Sequence, residues 1–259
     1  MITLTSDFGL KDPFVAEMKG VILNIDPKAT LVDITHEIKA FDLRAAAFTL
    51  ASAAPYFPVG TVHLAVIDPG VGTKRRAIIV ETKTSFFVGP DNGILLPAAK
   101  NQNIKKIHQI TNSKLMLPNV SSTFHGRDIF APAAAHLDKG IQPVEFGPEI
   151  KDPVTPDFAQ ATLTGDSING EVLHVDSFGD IITNIRGKDI HFEESKRVQV
   201  EFASKTVETA FVKAYAEAKP REPVILVGSH GFLEISLNKE SAAAKFHVEA
   251  GDKIKVKSD

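Results

Sequence analysis

Apolar positions in the first half of the chain switch repeatedly between two periods. The run ITLTS at 2–6 leads into the polar turn SDFG, after which Val15, Met18, Ile22 and Ile25 recur at helical spacing and mark one apolar face. Asp12-Pro13, just ahead of them, reads as an N-cap residue followed by proline at the first helical position. TLVDIT is the next strand, and Leu43, Ala47, Leu50, Ala54 and Phe57 mark the buried side of a second helix. TVHLAVID is nearly continuously apolar, the pattern of an interior strand covered on both faces. RAIIVETK and SFFVGP add strands, and a last helix begins near Arg127 and stops at Gly140, a typical C′ residue. This alternation predicts an N-terminal α/β domain over residues 1–150 with a central, largely parallel sheet.

The stretch KDPVTPDFAQATLTGDSING carries two prolines and no helical or strand period, so residues 151–165 are expected to be a linker. Beyond it GEVLHVDSFG, IITNI, RVQVEF, PVILVG, GFLEISL and DKIKVK are short strands separated by turn signals. Residues 166–259 therefore predict a smaller C-terminal antiparallel β domain, sandwich or barrel by pattern alone and expected to be barrel-like, with a short helix near VKAYAEA.

Composition narrows the function classes. A chain of 259 residues with 43% hydrophobic and 24% charged residues is ordinary for globular domains. A net charge of -3 gives no electrostatic case for nucleic acid or acidic membranes. The absence of cysteine excludes disulfides, thiolate catalysis and cysteine-based zinc sites. MITLTSDFG enters a strand directly without a basic and apolar leader, and no apolar run approaches the roughly 20 residues of a membrane span. The expectation is a soluble, cytoplasmic protein.

Polar residues gather with glycine and proline at the ends of apolar strands, where open α/β sheets bind ligands. Three segments do this: TSDFG with Asp7, VIDPGVGTKRR with Asp68, Arg75 and Arg76, and STFHGRD with His125, Arg127 and Asp128. Each charged residue is, by itself, as readily a turn former as a functional group. GVGTKR lacks P-loop spacing, HGRD stands without the other kinase signatures, and there is no GxSxG elbow. His125 and Asp128 with His63 or His136 have no HExxH or paired-histidine spacing, so no metal is expected.

Taken together, SDFG, IDPGVGTKRR, PDNG, SSTFHGRDIFAP, DSFGDIITNI and GSHGFLEISLN occur in one order along nearly the whole chain. This set resembles the SAM hydroxide adenosyltransferase family (S-adenosyl-L-methionine hydrolases), which is related to fluorinases and chlorinases. The resemblance implies that water displaces methionine from C5′ of SAM, with SAM as substrate and no cofactor. It also implies a homotrimer with inter-subunit active sites, and neither nucleic-acid nor membrane partners. The family's catalytic Asp-Arg-His set falls on Asp68, Arg75 and His125. Asp7 would accept from the ribose hydroxyls, and Asp12 would face the methionyl end or simply cap its helix. Asp176, Phe178, Asp180, Asn184, Ser229, His230, Glu234 and Leu237 would line the adenine and methionine pockets.

The chemistry is consistent with that assignment. The sulfonium is already a good leaving group, so the deficiency lies in the water. Forming hydroxide at pH 7 from water of pKa ~15.7 costs on the order of 12 kcal/mol. A carboxylate paired with arginine is a weak base. Asp68 and His125 are therefore expected to orient the water and accept its proton as the C–O bond forms, with Arg75 fixing the carboxylate. Many relatives carry Asn at the position of Asp180 and a small or glycine-rich turn at Lys239-Glu240. In the halogenases a tyrosine stands at the position of Asp68 and a serine at that of Gly126, so this chain sides with the water-using branch. The alternatives are a SAM-dependent halide adenosyltransferase and a non-catalytic adenosine- or SAM-binding protein.

Overall fold

Strand β1 (Ile2–Ser6) is buried along its whole length and seeds the first sheet. The computed structural model describes residues 1–156, 160–191, 197–202 and 205–258, and the chain divides into two compact units, Met1–Pro156 and Asp157–Asp259. In the first unit β1 is followed by α1 (Phe14–Ile25), β2 (Leu31–Thr35), α2 (Leu43–Ala53), β3 (Val62–Val66), β4 (Ala77–Thr82), β5 (Phe86–Pro90), α3 (Leu96–Asn101), β6 (Ile104–Gln109) and α4 (Ala131–Asp138). The sheet order is β2-β1-β3-β5-β4-β6. Strands β2, β1, β3 and β5 run parallel, and β4 is antiparallel to both of its neighbours. The largely parallel sheet expected from the alternating periods is present.

Period-two alternation divides the core into two layers. Leu4, Leu64 and Val66 pack with Met18 and Ile22 of α1 and with Ala133 and Leu137 of α4. Ala65 and Ile67 pack instead with Leu50 of α2 and with Leu96 and Ala99 of α3. Strand β3 is buried along its whole length and, His63 apart, apolar, because helices cover both faces.

Some local expectations fail for physical reasons. Asp12 does not cap α1: Pro13 already has helical dihedrals, occupies the N-cap and accepts the first helical bond from Glu17 N–H. The helix expected from Arg127 begins as a π-turn over Gly126–Phe130 before becoming α4. Strand β6 leaves a weak apolar pattern in the sequence because it is an edge strand with Lys105 and Lys106 exposed, a charge pattern that also protects the edge from pairing.

The second unit contains β7 (Thr162–Thr164), β8 (Ser167–Val175), β9 (Ile181–Arg186), β10 (Arg197–Phe202), β11 (Lys205–Phe211), β12 (Pro223–Val227), β13 (Phe232–Leu237), α5 (Ala242–Phe246) and β14 (Lys253–Ser258). Among the described residues, β14-β10-β11-β12-β13-β9-β8 closes into a seven-stranded barrel through the β14–β8 pairing, and β7 adds to β8. The barrel-like domain expected from the sequence is present. Its pairings are antiparallel except β11–β12. Ile254 and Val256 enter the barrel core while Lys253 and Lys255 pair outside with Glu171 and Glu201, the alternation visible in DKIKVK. The stretch 151–170 is less irregular than its composition suggests, because β7 and the start of β8 fall inside it. Residues 157–159 of the expected linker lie outside the described residues. The helix expected near VKAYAEA is a single 3-10 turn, Tyr215–Glu217.

His63 is one of several buried ionisable groups in the first unit. His63 of β3 stacks on Phe87 with centroids 4.9 Å apart, meets Phe57 edge-on, and places Nδ1 2.8 Å from Thr3 Oγ1. Burial lowers its pKa from 6.5 to about 4. The unfolded chain therefore binds more protons than the folded one between those values, and stability falls as pH drops through that window. Urea unfolding from pH 7 to pH 4 should cost the native chain on the order of 3 kcal/mol more than His63→Gln. Parallel pH profiles for the two proteins would contradict this.

Candidate active site

Parallel pairing sets Ser6 at the end of β1 in register with Val66 at the end of β3. Asp7 and Asp68 consequently emerge at the same edge of the sheet, beyond the carboxyl ends of adjacent strands. A pocket of about 270 Å3 opens there, with Asp7, Asp68 and His125 in its wall beside Phe8, Phe14 and Phe124.

Asp68 begins a tight turn. Val71 N–H donates to its carbonyl at 3.2 Å, and Thr73 Oγ1 donates to the Gly70 carbonyl at 2.7 Å. The turn returns Arg75 onto the Asp68 side chain. Arg75 Nε lies 2.9 Å from both carboxylate oxygens, and Nη2 also bonds Asp68 Oδ2. The same Nη2 donates to His125 Nδ1 at 2.8 Å, and the guanidinium lies 5.1 Å over the Phe130 ring. The Asp68 and Arg75 side chains are 6% and 10% exposed. Gly72, at φ 76°, permits this arrangement, because a Cβ there would lie 2.5 Å from the Ser122 carbonyl oxygen. The Asp68 turn and the His125 loop thus touch backbone to backbone.

Arginine has donors only, so His125 Nδ1 must accept and the neutral ring carries its proton on Nε2. Burial first, and the Arg75 cation second, hold the His125 pKa below 6.5, with Asp68, Asp128 and the Ser121 backbone acting in the opposite direction. His125 is accordingly neutral at pH 7. Arg76, the other half of the RR pair, is engaged elsewhere: it bonds Asp91 at 2.8 Å and Asp152 at 2.7 Å, fastening residues 152–154 to the sheet.

Asp7 Oδ2 accepts the Phe41 N–H at 2.9 Å, and Phe41 holds a positive φ of 67° that is unusual for a residue with a side chain. Asp12 is exposed and outside the pocket wall. Sequence reading passed over the aromatic wall. Phe8, Phe14 and Phe124 pack mutually with centroids 5.2–5.6 Å apart, although they come from three separate segments.

The residues expected in the second unit divide into three groups. Asp176 Oδ1 accepts the N–H groups of Phe178 and Asp180, both at 2.9 Å, leaving Phe178 79% exposed on the loop. Burial, together with the charges of Asp176 and Glu234, raises the Asp180 pKa to about 6 against a hydrogen bond from Ser236. Glu234 accepts from Ser236 Oγ at 3.1 Å and from the Tyr215 hydroxyl, a partner that no sequence signal indicated. Asn184 and Leu237 belong to the barrel: Asn184 Oδ1 accepts Glu171 N–H at 2.9 Å, and Leu237 lies in the core. Ser229 and His230 occupy an exposed turn between β12 and β13. Among the described residues no group of three His, Asp or Glu side chains is placed to hold a metal ion.

Replacing Arg75 by Gln removes a cation from His125 while leaving Asp68 beside it. The His125 pKa should then rise by about one unit or more in an NMR titration. A midpoint that stays fixed or falls would show that Arg75 does not set the charge state of the ring.

Comparison with known proteins agrees across both units. Residues 2–147 match the SAM hydroxide adenosyltransferase N-terminal domain, and residues 170–255 match the corresponding C-terminal domain. A protein of Methanocaldococcus jannaschii named (R)-S-adenosyl-L-methionine hydrolase is 37% identical, covering 99% of this chain and 95% of its own length. A protein of the same name from Salinispora tropica is 38% identical, covering 98% and 97%. A crystal structure of an uncharacterized conserved protein from Thermotoga maritima superposes with a TM-score of 0.93 at 38% identity, covering 99% of each chain. Both halves of the chain, matched over nearly their full length, belong to the SAM hydroxide adenosyltransferase family.

Proposed function

We propose that this chain hydrolyses S-adenosyl-L-methionine by attack of water at C5′, giving adenosine, L-methionine and a proton. Family membership across both units and the names of the relatives support the reaction. The observation that carries the residue assignment is the Asp68 carboxylate in the pocket wall, held by an arginine that simultaneously fixes His125. A bond forms between the water oxygen and C5′ as the C5′–S bond breaks, and sulfur keeps the electron pair to become the neutral thioether of methionine.

The charge state of His125 sharpens the division of labour. With Nδ1 occupied by Arg75 and the proton on Nε2, His125 acts as a donor and orients the water. Asp68 then takes the proton that the water loses as the C–O bond develops, and passes it to solvent. Arg75 holds the carboxylate in the attack geometry, which contributes through orientation rather than basicity. Asp7, with its carboxylate on the same wall, is suited to accept from the ribose hydroxyls. A halide nucleophile at this place would face the Asp68 carboxylate, which disfavours an anion.

Asp68→Asn keeps the shape of the side chain and removes the acceptor charge. Turnover of SAM should fall by about 10²–10⁴-fold while SAM binding by calorimetry persists. An unimpaired rate would remove Asp68 from the chemistry.

A homotrimer and a cytoplasmic location belong to the same proposal. Family membership supports the trimer, as do the exposed apolar side chains Leu10, Phe14 and Phe41, of which the two phenylalanines line the pocket. No helix among the described residues is long and apolar enough to cross a membrane. Sedimentation velocity should give a particle of three 28.0-kDa chains. A monomer at micromolar concentration would contradict the trimer.

A further inference from the structure

The loop that carries His125 has little secondary structure of its own. Between Leu117 and Gly126 the chain passes through exposed or half-buried residues, yet Thr123, Phe124, His125 and Gly126 all line the pocket. Such a segment needs an anchor if His125 is to hold one orientation.

That anchor is Asp128, whose residue exposure is 0%. Its Oδ2 accepts the Ser121 N–H at 2.8 Å, and its backbone carbonyl accepts the Leu117 N–H at 2.9 Å. Its own N–H donates to the Phe124 carbonyl at 3.1 Å, and the Phe124 N–H donates to Ser121 Oγ at 3.0 Å. One buried residue therefore bonds the loop at its start, its middle and the position just before His125. Ser121 also acts through its backbone on the charge state of His125. Arg127 compensates the buried charge: Nε donates to Asp128 Oδ1 at 2.7 Å, Nη1 donates to Glu17 Oε2 of α1 at 2.8 Å, and the guanidinium lies 5.1 Å over Phe124. The π-turn over Gly126–Phe130 carries Asp128 and Arg127 in the turn immediately after His125.

We infer that Asp128 is the positioning residue of this site. Its carboxylate, braced by Arg127 and Glu17, holds the Ser121–His125 loop so that the imidazole meets Arg75 on one side and the pocket on the other. Asp128 does not line the pocket, so it acts through His125 and contributes to turnover rather than to substrate affinity. The inference rests on the hydrolytic reading.

Asp128→Asn keeps an acceptor oxygen for Ser121 and removes the charge that Arg127 braces. With the native chain and Asp128→Asn assayed on SAM, kcat should fall about 10–100-fold, the loss expected of a displaced catalytic group, while KM stays within about threefold. A folded Asp128→Asn with unchanged kcat, or with the loss confined to KM, would overturn the inference while native turnover still upheld hydrolysis. An inactive native chain would instead defeat the hydrolytic reading. Hydrogen exchange at the Ser121 amide of the native protein decides the matter whether or not the variant folds and whether or not SAM is turned over. Strong protection is expected of an N–H held by a buried carboxylate, and exchange at the rate of an open loop would overturn the anchor.

Discussion

The site depends on a single guanidinium that serves two partners. Arg75 clasps the Asp68 carboxylate through Nε and Nη2 and gives Nη2 to His125 Nδ1 as well. Because arginine cannot accept a hydrogen bond, this one group determines the proton position on the histidine and the orientation of the carboxylate together. Both side chains of the ion pair are almost fully buried, where loss of one partner would leave an uncompensated charge. The interaction therefore imposes geometry on the pocket more than it stabilises the fold.

The fold makes that contact possible by bringing distant segments to one sheet edge. Parallel pairing of β1 with β3 sets Asp7 and Asp68 side by side. The turn after Asp68 returns Arg75, and Gly72 allows the loop ahead of α4 to approach within backbone contact. An aromatic wall of Phe8, Phe14 and Phe124 lines the same pocket as Asp7, Asp68 and His125. The barrel contributes a different chemistry: three carboxyls, Asp176, Asp180 and Glu234, interact there, and Asp180 retains its proton to an unusually high pH for an aspartate.

Much of this was legible in the chain. The switch between helical and strand periods located the parallel sheet, and the nearly continuous apolar run TVHLAVID marked its covered interior strand. Polar residues at strand ends pointed to Asp7, Asp68 and His125, and the motif set pointed to the family. Asp12 misled because a residue before proline has the appearance of a cap, whereas Pro13 itself carries the helical dihedrals. The aromatic wall was illegible because Phe8, Phe14 and Phe124 come from separate segments that only the fold brings together. Tyr215 was missed because its segment read as a short helix and no local spacing joins it to Glu234 on β13. Asp128 was visible as part of HGRD, but only the folded loop shows that it bonds back to Ser121.

Nitrogen-15 NMR of the His125 ring at pH 7 tests the central claim most directly, because it reads the proton position that Arg75 dictates. The structure requires a neutral imidazole protonated at Nε2, with Nδ1 showing the shift of a hydrogen-bonded acceptor. A ring protonated at Nδ1, or an imidazolium at that pH, would contradict the account, because Arg75 could then no longer hold His125 and Asp68 in one arrangement.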